Sequence, residues 1–281
     1  MVKKAVQQFQ LGTVMNSEKE VKSTLEALKN AGYDGIELCG FMIRPSGVFV
    51  KLLTKAAGMP IGRGGKLDWP ALMKDFSLDV IGIHEDMGRL EKETAAIIEE
   101  AHTYDTGFIT LTGMYGFNYS DRDEVLKLSE RLNNAGRKLS AEGISLLYHN
   151  HNVELAKVSP DKTAYELLME SLNPEYVNFE FDSYWMTDAG ANVPKVMEAL
   201  GSRMKLWHIN DRGIKKSGMS VTPIAKYDSK ELGYGCMDLD GLSKIALQNG
   251  ISAVILESHR NWAEGSPVRS AEISAEYLKK L

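Results

Sequence analysis

The sequence predicts a (β/α)8 TIM barrel, an α/β fold forming a single domain over residues 1–281, and three observations carry that expectation. Short β-rich runs alternate with longer amphipathic stretches, the order that builds a parallel sheet covered by helices. The runs are apolar with little alternation, as expected of strands covered on both faces. Eight such units in 281 residues suit a closed barrel better than an open doubly wound sheet.

Taken in order, "QFQLGTVM" (8–15) reads as the first strand. "SEKEVKSTLEALKNAG" (17–32) follows as a helix, with Ser17 as N-cap and Glu20 three residues on. Val21, Leu25 and Leu28 make its apolar stripe, and Gly32 ends it. "YDGIELCG" (33–40) and "SLDVIGIHED" (77–86) are the next two strands, separated by a long connection containing the loop-like "GMPIGRGG" (58–65). "ETAAIIEEAHTYD" (93–105) is helical and "GFITLTGM" (107–114) is the fourth strand.

The second half repeats this rhythm. A helix over 122–141 leads into "ISLLYHN" (144–150), and one over 160–171 into "YVNFEFDS" (176–183). "VPKVMEALGS" (193–202) feeds "MKLWHIND" (204–211), and "LDGLSKIALQNG" (239–250) feeds "SAVILESH" (252–259). "SPVRSAEISAEYLKKL" (266–281) closes the chain as a helix. No linker rich in Pro, Gly or Ser divides it.

Composition narrows the function. With 43% hydrophobic and 25% charged residues the chain is an ordinary globular sequence. The net charge of −5 gives no electrostatic reason to expect nucleic acid or an anionic membrane as partner. The two cysteines, Cys39 and Cys236, indicate neither a disulfide framework nor a thiolate zinc site. The N-terminus has no apolar core of signal-peptide length, and no run approaches the ~18 apolar residues of a membrane span. The expectation is a soluble, cytoplasmic protein.

A barrel gathers its catalytic groups at the C-terminal ends of the strands. Those ends carry Glu37, His84, then His149, His151 and Glu154, then Asp182, His208 and Glu257, so ionisable groups finish six of the eight strands. The fourth ends in Thr112 and Met114, with Tyr115 and Phe117 beyond. Gathering several like charges at one mouth is costly without a cation to compensate them. Carboxylates with one or two imidazoles and no thiolate point to Mn2+ first, with Mg2+, Co2+ or Zn2+ as alternatives.

"FDSYWMTDAG" (181–190), "WHINDR" (207–212), "LGYGCMDLDGL" (232–242) and "ILESH" (255–259), in that order, resemble the sugar phosphate isomerase/epimerase family. "GYDGIEL" (32–38) is similar to its second-strand motif and "LLYHNHNVEL" (146–155) to a fifth-strand variant. The resemblance spans residues 8–280 and implies a xylose-isomerase-like barrel. It also implies metal ligands after strands five to eight: a carboxylate, an Asp, a His and a Glu. Asp182, His208 and Glu257 match the last three. At the first, the family's spacing falls on His149. Glu154, the nearest carboxylate, is taken as ligand with His149 left as a base, and His149 is the alternative ligand.

The resemblance further implies a substrate-binding lysine where this chain has Asn210. Arg212, Lys215 or Lys216 on the next loop are the substitutes to examine. Glu37, His84 and His151 are expected to contact substrate. Trp185, Trp207, Tyr115 and Trp262 are either platforms for a sugar ring or rim packing. His102 and His259 are read as structural.

The implied chemistry is sugar isomerisation or epimerisation. A divalent ion on a carbonyl and its neighbouring hydroxyl acidifies the C–H between them, and a base removes that proton to give an enediolate. Glu257 is one base, and His149 or Glu154 the other. The alternative is a lyase that cleaves 3-keto-glycosides, C-glycosides included, by enolisation and β-elimination. A non-catalytic sugar-binding barrel is the third expectation. The partner is a small sugar or glycoside, with a homo-oligomer or a hetero-complex with a second subunit left open.

Overall fold

The computed structural model describes residues 2–45, 47–56, 62, 64–111, 113–215 and 222–281. Eight parallel strands close into a barrel: β1 Lys3–Gln7, β2 Gly35–Cys39, β3 Asp79–Glu85, β4 Phe108–Leu111, β5 Ser145–His149, β6 Val177–Asp182, β7 Met204–Ile209 and β8 Ala253–Leu256. Their order around the barrel follows the chain, with β8 beside β1.

The first strand differs from expectation. Lys3–Gln7 pairs with β2 through Ala5 and Gly35, Val6 and Ile36, and Gln7 and Glu37. The stretch expected as strand instead forms a 3-10 helix over Gln8–Val14, started by the Gln7 side chain accepting the Phe9 N–H at 3.1 Å. Its glutamines serve neighbouring backbone rather than a ladder. Gln8 Oε1 accepts the Cys39 N–H at 2.9 Å, and Gln10 Oε1 the Ser258 N–H at 2.6 Å.

Elsewhere the predicted helices form within a few residues of expectation, and their ends show why. Glu18–Ala31 is capped by the Ser17 hydroxyl, and Gly32 takes the left-handed conformation (φ 100°) that stops it. Arg122–Ser140 starts where Asp121 accepts the N–H groups of Asp123 and Glu124, and buries Val125, Leu128, Leu132, Ala135 and Leu139 along one face. Ala164–Ser171 opens with a full capping box between Thr163 and Glu166. Among the described residues the long connection after β2 contains the helices Gly40–Ile43, Val48–Ala56 and Trp69–Phe76. Two small antiparallel hairpins were not foreseen, Lys157–Ser159 with Lys162–Thr163 and Asp211–Ile214 with Tyr227–Lys230. Thr112, Lys216 and most of 58–65 lie outside the described residues.

Two compact units can be distinguished in the chain. The first, residues 1–79, 209–243 and 254–281, holds β1, β2 and nearly all of β8. The second, residues 80–208 and 244–253, holds β4, β5, β6 and nearly all of β3 and β7. In the second, side chains alternate across the wall as strand geometry requires. Tyr148, Phe179 and Phe181 turn outward, where Phe179 and Phe181 meet Tyr165 of helix Ala164–Ser171 at 5.7 and 6.4 Å between ring centres. His149, Glu180 and Asp182, one step along the same strands, turn inward.

Candidate metal centre

Strand register sets the site in the second unit. His149 of β5 lies opposite Glu180 of β6, and Asp182 lies opposite His208 of β7. Glu180, two residues inside the end of β6 and so not among the strand-end residues, is the hub. Its Oε1 is 2.8 Å from His84 Nε2, 3.0 Å from His149 Nδ1 and 3.1 Å from His208 Nε2. Its Oε2 accepts the Thr110 hydroxyl at 3.1 Å. Burial opposes the charge on this carboxylate, but the His208 and His84 rings and the N–H donors of His149 and His208 hold its carboxyl well below the usual carboxylate range.

His84, His149, Glu180 and His208 each offer a donor atom within 4.8 Å of the others, and so do His149, Asp182 and His208. All five residues are buried. Asp182 is held by its surroundings. Its Oδ1 accepts the Trp185 N–H at 2.8 Å, and its backbone exchanges hydrogen bonds of 2.9 and 3.0 Å with the Asn150 side chain. Buried imidazoles and carboxylates from four separate strands converging at the C-terminal barrel end fit a divalent cation by donor chemistry.

Glu154 is placed differently. It is wholly buried, its Oε1 accepts the Tyr148 hydroxyl at 2.8 Å and its Oε2 accepts the His151 N–H at 3.0 Å. Tyr148 in turn meets the Tyr119 hydroxyl at 3.0 Å. Burial raises the Glu154 carboxyl, partly offset by these donors. Glu154 is absent from both donor groups among the described residues, and His149 takes part in both. His151 packs its ring 4.9 Å from that of His149 and 5.9 Å from Trp185, which brings Trp185 alongside the histidines. Trp207 is fully buried, its indole N–H donating to Ser183 Oγ at 3.0 Å, and belongs to the wall. His102 is exposed on its helix.

The first unit carries the remaining predicted residues. Glu257 follows β8, is buried, and donates its backbone N–H to the Ile209 carbonyl at 3.2 Å. Ile209 is the residue after His208 in the chain. His259 Nδ1 lies 3.9 Å from Glu257 Oε1. Glu37 is buried and accepts Gln7 Nε2 at 2.8 Å. The Trp262 indole donates to the Ser258 carbonyl, while Tyr115, in the second unit, is exposed.

Asn210 is buried, donates to Ser229 Oγ at 3.1 Å, and has no partner for its Oδ1 among the described residues. Of the cations considered in place of the missing lysine, Arg212 stacks over the Tyr227 ring at 4.3 Å. Lys215 lies 3.4 Å from Asp228, which Arg260 also engages at 2.9 Å. The glycine-rich motif after the hairpin has a structural use. Asp211 accepts the N–H groups of Gly233, Gly235 and Met237, so the loop is wrapped around that carboxylate.

Known proteins resemble this chain throughout. An inosose dehydratase from Mesomycoplasma hyopneumoniae (strain J) is 24% identical over 175 residues, 58% of this chain, and the match spans about half (56%) of that relative. A sugar phosphate isomerase/epimerase from Parabacteroides distasonis superposes with a TM-score of 0.75 at 22% identity, covering 99% of this chain and 94% of that one. The IOLI protein, solved with a bound zinc atom, superposes with a TM-score of 0.68 at 15% identity, covering 99% and 97% of the two chains. Among the described residues no helix is long and apolar enough to cross a membrane. With its closed parallel barrel, and with the model of that fold matching residues 25–281, the chain belongs to the xylose isomerase-like TIM barrel family.

Proposed function

We propose that the protein is a divalent-metal-dependent sugar isomerase or epimerase that shifts a proton on the carbon beside a carbonyl. The observation supporting this most strongly is the buried convergence of His149, Asp182 and His208 with Glu180 and His84 at the C-terminal ends of four strands. His149, Asp182 and His208 would hold the ion, and the resemblance to the family supplies Glu257 as the further carboxylate. Two imidazoles with two carboxylates suit Mn2+, Co2+ or Zn2+. A bound divalent ion supplies Lewis acidity, drawing electrons from a substrate carbonyl and its neighbouring hydroxyl.

The chain's own groups do the rest. Glu257 exchanges the proton at the acidified carbon, and an imidazole of the cluster is the second proton-transfer group. His84, 2.8 Å from Glu180, is the histidine left over from the ligand set. An imidazole raises the reference pKa of such a group from about 4.3 to about 6.5. Trp185 and His151, packed beside His149, would border the sugar. Among the described residues Lys215 and Arg260 engage Asp228 and Arg212 stacks on Tyr227, which favours a neutral sugar over a sugar phosphate.

A second reading, β-elimination from a keto sugar or keto-glycoside, is favoured by the relative named as an inosose dehydratase. It begins with the same proton abstraction and then expels a group from the next carbon. The deciding experiment incubates the manganese- or zinc-loaded protein with free ketoses and with 3-keto-glycosides in D2O. Deuterium entering a ketose supports the isomerase, and a released aglycone or water supports elimination. Neither, in a protein that also binds no metal, would refute both.

A further inference from the structure

We propose that Glu180 fixes the tautomers of His149 and His208 in opposite senses, so that His149 offers Nε2 and His208 offers Nδ1 to the metal. The inference rests on the metal reading above and adds a positioning residue to it. Glu180 is wholly buried, and one oxygen, Oε1, lies 2.8–3.1 Å from a nitrogen of each of three histidines. An ionised carboxylate has only acceptors. Two bare lone pairs facing each other at these distances would repel, so each nitrogen turned to Glu180 carries the hydrogen. The facing atoms are Nδ1 of His149 but Nε2 of His208 and of His84. A neutral imidazole has one N–H, which leaves Nε2 of His149 and Nδ1 of His208 and His84 with the lone pair.

The arrangement is set by backbone as much as by side chain. His149 faces Glu180 directly in the β5–β6 register, whereas His208 faces Asp182, two residues further along β6. The one carboxylate therefore meets different edges of the two rings, Nδ1 of His149 and Nε2 of His208. Thr110 steadies it from β4 through the second oxygen. A carboxylate behind a ligating imidazole orients the ring and raises its basicity, and losing such a partner typically weakens metal binding about 10–100-fold.

Long-range 1H–15N spectra of protein labelled at histidine test the idea, recorded metal-free at a pH well above the ordinary imidazole value of about 6.5. The expected pattern is His149 as the Nδ1–H form and His208 as the Nε2–H form. On addition of Zn2+, the signals that move most are Nε2 of His149 and Nδ1 of His208. In Glu180→Gln, whose amide can donate as well as accept, at least one ring changes or averages its tautomer, and calorimetric Zn2+ affinity falls about 10–100-fold. Asp182→Asn sets the scale for loss of a ligand.

The opposite tautomer at either ring in the wild-type protein overturns the proposal, and that measurement needs no variant to fold. So does an unchanged Glu180→Gln spectrum in a folded protein, or a loss of Zn2+ binding in Glu180→Gln equal to that in Asp182→Asn, which would make Glu180 a ligand. If the predicted tautomers appear in a protein that binds no metal, the anchoring by Glu180 stands and the metal reading fails.

Discussion

The Tyr148 hydroxyl donates to Glu154 Oε1 at 2.8 Å, from the face of β5 opposite the one that carries His149. With Oε2 accepting the His151 N–H, both oxygens of Glu154 are engaged in holding the chain beyond β5. Glu154→Gln is therefore expected to bind Mn2+ or Zn2+ within a few-fold of wild type in a calorimetric titration. His149→Ala and Asp182→Asn should each lose more than the ~10–100-fold typical of an outer partner. A loss in Glu154→Gln as large as in Asp182→Asn would return Glu154 to the ligand set.

The same carboxyl links stability to pH. Burial lifts it above its ordinary value of 4.5. A raised carboxyl binds its proton more tightly in the folded than in the unfolded chain, so its contribution to stability falls as pH climbs from that ordinary value towards the raised one. Glu154→Gln cannot ionise, and its oxygen can accept from His151 while its amide donates to Tyr148. The Tm of the variant minus that of wild type should therefore grow with pH across this window. A difference that stays flat would mean that Glu154 titrates alike in both states.

Thr110 of β4 donates to the second oxygen of Glu180 at 3.1 Å from a fully buried position. Thr110→Val keeps the shape and removes the donor, leaving a buried carboxylate oxygen short of a partner. The expected loss is about 1–3 kcal/mol in denaturant unfolding, with Thr110→Ser recovering most of it. Equal stability of the valine and serine variants would show that the hydroxyl does not support the carboxylate.

Much of the barrel was legible because strands alternate with helices and Ser17 is a cap that sequence alone exposes, whereas the helix expected from residue 160 begins only after its cap, Thr163. The first strand was misread because Gln8 and Gln10 sit among apolar residues yet bond to backbone at Cys39 and Ser258, partners far away in the chain. His84, His149, Asp182 and His208 were legible because strand ends are where a barrel opens. Glu180 was not, because it lies two positions inside its strand. The signal was present in "NFEFD", where Asn178, Glu180 and Asp182 alternate with Phe179 and Phe181. A carboxylate flanked by two outward phenylalanines has to face the barrel interior. Glu154 was legible as the nearest carboxylate, but its partner Tyr148 lies on the outward face of β5 and is met there by Tyr119 from another loop, so its direction could not be read.

Gly113 gives a last check on how the mouth is shaped. Its φ is +132°, and a Cβ there would meet His151 Cε1 at 3.2 Å and Nδ1 at 3.5 Å. Gly113→Ala thus forces a side chain into a conformation that L-residues avoid and presses on a ring packed against both His149 and Trp185. Backbone strain of this kind costs about 1–3 kcal/mol. The donors of the metal group are not touched by that methyl, so metal affinity should hold while turnover falls and Tm drops. Unchanged turnover in a folded Gly113→Ala protein would show that the position of His151 does not matter to the reaction.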